Sequence, residues 1–490
     1  MSTPLRQIAN LPGPRGWPVL GNVPQLNPDK VHQTLENWAR HYGTFFQLKL
    51  GPRQALVVSD PGTVTALLRE RPERFRRPRR SKDVSIEMGL KTGVFGAEGD
   101  DWQRQRRMVM ASFSPGHVRA YFASLQTVTL RLHKRWQQAA TRHTTIALQA
   151  DLMRYTVDAI AGLAFGVDVN TLESDDDIIQ QHLDKIFPAL FKRTFSIVPY
   201  WRWLRLPVDR QLDRSVAAIN LAIDGFIAQA RARMDKDPGL REHPRNLLEA
   251  MIAAADLPDS GVNDEAVAGN VLTMLLAGED TTANTLAWMI YLLQRNPAAL
   301  ARARDEVLRL APDPTRFTPE QMASLDYLDA CAQETMRLKP VAPNLPVEAN
   351  VDTVVGDVAV PAGTLVWSLL RLNCLDDKNF GRAAEFLPER WLAAQPVAAG
   401  DNPASTSTAT ANKRGAMPFG SGPRVCPGRY LALLEIKMAM AMLLSQFDIQ
   451  SVDTPDGLEA QELMSFTMAP VGLTMKLQAR SQATTQPANP

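Results

Sequence analysis

One ten-residue segment constrains this chain more than any other. It reads Phe419-Gly420-Ser421-Gly422-Pro423-Arg424-Val425-Cys426-Pro427-Gly428, and an apolar run to Phe447 follows at once. Gly420 and Gly422 can take positive φ and let the backbone come close to a flat cofactor. Backbone N–H groups of such a turn, and the dipole of a helix starting just after Cys426, favour a thiolate. Arg424 has the reach to meet a carboxylate on that cofactor. The other cysteines, Cys331 and Cys374, lie far away, so no disulfide framework is expected and a reducing, cytoplasmic compartment fits. All seven histidines end at His243, which excludes a local Cys/His zinc site.

A second segment limits the architecture. Val271 to Leu293 is apolar, but Glu279 and Asp280 sit in its middle, so it does not read as a membrane span. Asn263 is a good N-cap with Asp264 and Glu265 behind it, and Pro297 sets the end. The helix between them should hold about thirty residues and run roughly 50 Å. Inside it lies Ala277-Gly278-Glu279-Asp280-Thr281-Thr282, flanked by Leu275, Leu276, Leu286 and Trp288. Two acids and two threonines there are costly unless they serve a site. Gly278, a weak helix former, is expected to mark a local distortion.

The rest reads as mainly α with a minor β portion, in a single large domain over residues 1–478. Leu11 to Asn22 is rich in Pro and Gly and should be ordered but not helical. Thr44 to Leu50 and Gln54 to Ser59 read as strands around Gly51-Pro52. Helical patterns dominate from about 60 to 340, and short strands are expected within Val351 to Leu370. Residues 394–412 read as a low-complexity loop and 479–490 as a disordered tail. Residues 1–10 carry no apolar stretch, so no membrane anchor is expected. Net charge is +2, with 54 basic and 52 acidic residues, which gives no reason to expect nucleic acid. The arginine runs at 76–80 and 104–107 read as solvated faces.

These motifs together resemble the cytochrome P450 heme-thiolate enzymes. The cysteine loop matches that family's Phe-x-x-Gly-x-Arg-x-Cys-x-Gly pattern through Phe419, Gly422, Arg424, Cys426 and Gly428. The resemblance implies heme b (iron protoporphyrin IX) with Cys426 as the iron ligand. It implies an oxygen groove at Ala277 and Gly278, where Thr281 hydrogen-bonds the oxygen species and Asp280 feeds protons. Glu334 and Arg337, with Arg390 from Phe386-Leu387-Pro388-Glu389-Arg390-Trp391, would form a buried structural network. Trp102 and Arg106, one helical turn apart, would join Arg424 at a heme propionate. The activity implied is monooxygenation of a hydrophobic small molecule. Electrons would come from a separate ferredoxin or flavodoxin with its reductase, docking on Arg104, Arg107, Lys413, Arg414 and Arg429. A soluble, monomeric, bacterial enzyme of secondary metabolism is the corresponding expectation.

The match has departures. Many relatives carry a propionate-binding Arg where this chain has Glu348, so Glu348 is expected to point away. Residues 394–412 look long and could be an exposed insertion near the partner face. A peroxygenase or isomerase is the competing enzyme reading, though such peroxygenases often replace the acid-Thr pair that Asp280 and Thr281 keep. A non-catalytic heme sensor is the third. Met88, Phe187, Phe191, Phe195, Leu345 and Phe466 are expected to line an apolar substrate pocket.

Overall fold

The computed structural model describes residues 4–113, 115–174, 178–196, 198–392 and 415–480. The low-complexity loop at 394–412, with Lys413 and Arg414, lies outside the described residues, as do 481–490.

The central helix, Asp264–Arg295, starts and stops where its local chemistry requires. The Asn263 side chain accepts from the Ala266 N–H at 2.9 Å, and the acids Asp264 and Glu265 sit on the positive end of the dipole. The helix ends before Pro297. It is unbroken through Gly278, against the expected distortion. A Cβ added there would lie 3.1 Å from Ile160 of the helix Leu148–Phe165, the central helix's most extensive partner. Gly278 is therefore a close-packing residue. Gly269 is tighter still: an added Cβ would come within 2.4 Å of the Thr92 backbone. The segment 90–97 thus crosses directly over the central helix, and Asn270 pins it by accepting from the Val94 N–H at 2.9 Å.

The cysteine helix, Arg429–Gln446, follows the loop with Gly428 as its N-cap. Its apolar residues run all round, which suits a helix enclosed on every side. The central helix and the helices Phe122–Thr141, Pro297–Leu310 and Asp326–Leu338 pack around it. Met438, Met440, Met442, Leu443 and Leu444 are all fully buried.

Among the described residues, four small sheets flank this helical body. The largest orders its strands Phe45–Leu50, Arg53–Val58, Leu365–Leu369, Asn344–Ala349 and Phe75–Arg76. Its first pair turns at Gly51-Pro52, as the alternation there predicts. Residues 479 and 480, expected in the tail, belong to the sheet region. Ala479 pairs with Phe447 at the end of strand Thr474–Ala479, and Arg480 N–H donates to the Gln446 carbonyl. Among the described residues no helix is long and apolar enough to cross a membrane.

Candidate functional site

The cysteine loop is held by its own backbone. Cys426 N–H donates to the Phe419 carbonyl at 2.9 Å, closing the turn around Gly420 and Gly422. Both glycines have left-handed φ, +75° and +73°. The close approach at Gly422 is not to cofactor space, as its residue type had suggested. A Cβ there would meet the Leu68 carbonyl at 2.6 Å, so Gly422 seats the loop on the helix Pro61–Arg69. The Cys426 thiol is half-buried. Burial pushes it up, while the Gly428 N–H and then the Arg106 and Arg429 guanidiniums oppose that rise. Arg106 donates to the Val425 carbonyl at 2.7 Å. It braces the loop through one terminal nitrogen.

Beside the loop lies a cluster of guanidiniums. Arg424 donates to the Ala97 carbonyl at 2.8 Å and to the Glu98 carboxylate, and sits 4.7 Å from the ring centre of buried Trp102. Glu98 also accepts from the Arg77 N–H at 2.9 Å. Arg71 is 4% exposed, and its Nε and one terminal nitrogen have no partner; the Arg424 Nε has none either. Burial, and then repulsion from Arg424, lowers Arg71 to about 10. Arg77 is pushed well below the usual range, by burial first and then by Arg71 and Arg424. Unpartnered buried N–H groups on cations are expensive, so this cluster is built to receive an anion. Arg77 was missed in sequence because the run at 76–80 reads as a solvated face, and Arg71 was not singled out. Glu348 does point away: it accepts from Arg76 at 2.5 Å and from the Arg79 N–H at 3.2 Å.

Across from the loop, the central helix opens a groove. Ala277 is exposed although Leu275 and Leu276 beside it are buried. The Thr281 hydroxyl donates to the Ala277 carbonyl at 2.7 Å, which leaves its oxygen free to accept. Asp280 Oδ1 accepts from Asn284 at 2.6 Å, and Oδ2 accepts from the Thr467 hydroxyl. Burial pushes the Asp280 carboxyl up, and those two donors pull against it. Ala277, Thr281, Phe187, Phe466 and Thr467 line a cavity of about 140 Å³. Phe191, Phe195 and Trp367 line an outer cavity of about 690 Å³, with Glu348 on its wall. Met88 and Leu345 line neither; both belong to core packing. The residues present fit a heme: a thiol on one side, a groove of small residues, and orphaned guanidiniums for its carboxylates.

Glu334, Arg337 and Arg390 meet as expected. Glu334 accepts from Arg337 at 2.8 and 2.9 Å and from Arg390 at 3.1 Å.

Glu435, on the cysteine helix, is another buried acid, and sequence reading passed over it. Burial pushes it up to about 8, and a bond with Thr282 of the central helix opposes this. A carboxyl raised from 4.5 to about 8 binds more protons folded than unfolded, so stability falls as pH rises through that window. Glu435→Gln removes the charge. Its stability relative to wild type should rise by about 2 kcal/mol between pH 6 and 7.5, read from urea unfolding at each pH. A constant difference would show that Glu435 does not titrate there.

Comparison with known proteins agrees with this geometry. A family model described as cytochrome P450 matches residues 11–477. Protein LUTEIN DEFICIENT 5, chloroplastic, from Arabidopsis thaliana is 28% identical over 425 residues, covering 84% of this chain and 68% of that protein. Cytochrome P450 97B2, chloroplastic, from Glycine max is 27% identical over 474 residues, covering 90% and 81%. Self-sufficient cytochrome P450 monooxygenase CYP505E4 from Penicillium expansum is 26% identical over 487 residues, covering 97% of this chain and 44% of that protein. These relatives are plant and fungal, and give the bacterial expectation no support.

Proposed function

The chain belongs to the cytochrome P450 family, and on that premise we propose that it hydroxylates or epoxidises a hydrophobic small molecule with electrons supplied by a separate ferredoxin- or flavodoxin-type partner. The cofactor of the family is heme b. Bound here, it supplies dioxygen activation, and Cys426 is the residue placed to hold its iron. Arg71 and Arg424, whose buried N–H groups lack partners, with Arg77 beside them and Trp102 against Arg424, would hold its carboxylates. The observation that carries the reading is that Thr281 and Thr467 line one apolar cavity on the groove side of the central helix, and the Thr467 hydroxyl bonds the Asp280 carboxylate behind it. Thr281 offers a hydroxyl at the cavity wall, able to hand on a proton and accept another. Asp280 stands one residue before it as the proton source. Phe187, Phe466 and Leu276 exclude water around them and orient an apolar substrate. Arg107 is exposed near the loop and Arg429 is half-buried there, which supports docking of an acidic electron donor. All three cysteines are unpaired, which supports a cytoplasmic setting.

The test is turnover of the purified holoenzyme with a ferredoxin, its reductase and NADPH, using hydrophobic compounds chosen by their shift of the heme spectrum. Product should carry one atom from isotopically labelled dioxygen. Thr281→Ala should lower product formed per NADPH by about tenfold or more, with hydrogen peroxide in its place. Product that forms only with added peroxide, and carries no atom from the labelled dioxygen, would replace this reading with a peroxygenase.

A further inference from the structure

Both oxygens of Asp280 are engaged, and one of the partners comes from far away in sequence. Thr467 sits at the turn between the strands Glu462–Met464 and Met468–Pro470. Its hydroxyl donates to Asp280, and Asn284 bridges the two, lying 3.4 Å from the Thr467 hydroxyl. A carboxylate fixed at both oxygens cannot rotate to carry a proton until a partner lets go.

The neighbouring residue in that turn is Phe466, which points into the inner cavity. Its ring stacks on Phe187 with centroids 4.2 Å apart, and lies 5.7 Å from Phe95. The stem of the turn is anchored. Met468 N–H donates to the Val341 carbonyl at 2.8 Å, Trp288 donates to the Met468 carbonyl at 3.3 Å, and Glu462 is bonded to His32, Lys339 and Arg371. A ring in ligand space and a hydroxyl on the relay acid therefore share one short tip on a fixed stem. The inner cavity, about 140 Å³, is well below the roughly 300–1,000 Å³ of small-molecule sites. An incoming substrate has to push the Phe466 ring aside.

We propose that Thr467 is a positioning residue that holds Asp280 out of proton delivery while Phe466 fills the cavity, and that substrate releases it by displacing Phe466 from Phe187. The inference rests on the monooxygenase reading. Its physical content is a two-state tip whose equilibrium a ligand biases by occupying the ring's place. The consequence is that protons reach the groove only when a substrate is there to be oxidised.

The experiment uses the heme-loaded holoenzyme with 4-fluorophenylalanine at position 466 and 4-phenylimidazole as a cavity-filling probe. The fluorine resonance should shift on titration. The Asp280 carboxyl infrared band, assigned with Asp280→Asn, should move with the same midpoint. In Thr467→Val the band should already sit at its ligand-bound position before any probe is added, and Thr467→Ser should restore it. With the redox partner but no substrate, Thr467→Val should consume NADPH several-fold faster than wild type, and Thr467→Ser should not. A fluorine shift with an unmoved carboxyl band, or a Thr467→Val band identical to wild type, overturns the coupling. The spectroscopic arms need no turnover. A wild type that shows both shifts yet makes no product supports the coupling while sinking the monooxygenase reading.

Discussion

Glu334→Ala is expected to lower folding stability by about 3–5 kcal/mol, because it strips the centre from a fully satisfied buried network. One Glu334 oxygen accepts from Arg337 at 2.8 Å, the Leu387 N–H at 2.8 Å and Arg390 at 3.1 Å. The other accepts from Arg337 at 2.9 Å and the Trp391 indole at 2.7 Å. Glu334 and Arg337 are both fully buried. Without the carboxylate, Arg337 keeps its bonds to the Cys374, Ala383 and Glu385 carbonyls but loses its countercharge. Two side chains and one backbone N–H also lose an acceptor, and each loss costs more than the bond was worth in water. The damage should reach the cysteine loop. Trp391, Phe380, Cys374 and Ala416 form one small apolar cluster, and Ala416 lies just ahead of Phe419. Urea unfolding of the holoenzyme, followed by both heme absorbance and far-ultraviolet circular dichroism, is the measurement. Heme should leave at a lower urea concentration than in wild type. A loss under about 1 kcal/mol, in the range of a surface ion pair, would show that the network is dispensable.

What the sequence disclosed, and what it hid, divides by the range of the interaction. The central helix was legible to within a residue because its cap, its acidic first turn and its terminal proline are local signals. The first hairpin was legible for the same reason. Glu334 and Arg390 stand 56 residues apart, so only the family resemblance could pair them. Thr467 and Asp280 stand 187 apart, and no local pattern marks a threonine in a turn as a carboxylate's partner. Arg77 was hidden by its own composition, since arginines close together read as solvated; nothing local marked Arg71, because burial belongs to the fold. Gly278 was singled out as a weak helix former and Gly422 for close approach to a cofactor, and both turn out to be close-packing positions. A glycine signals that something comes close, and the sequence does not say what. At both positions that something is the protein itself, Ile160 in one case and Leu68 in the other.

Cys426→Ala should abolish monooxygenation while leaving the fold intact. The turn does not depend on the thiol. The Cys426 N–H to Phe419 carbonyl bond, the Arg106 brace on Val425 and the seat of Gly422 on Leu68 all involve backbone atoms of the loop. Removing one sulfur atom from a loop held by its backbone costs little, so the melting temperature of the protein freed of heme should change by only a few degrees. The spectrum should change completely. Reduced wild type under carbon monoxide should show the strongly red-shifted Soret band of a thiolate-ligated heme, and the variant should not. Neither other cysteine can substitute. Burial, with Glu306 as the next contributor, holds the Cys331 thiol well above its ordinary range, and burial holds Cys374 at about 12. Neither belongs to the loop: Cys331 is packed in the main apolar core, and the Cys374 thiol is bonded to the Leu370 carbonyl. Cys331→Ala and Cys374→Ala should accordingly keep the band and the activity. If Cys426→Ala retained the red-shifted band, the heme would sit elsewhere, and the guanidinium cluster beside the loop would need another anion.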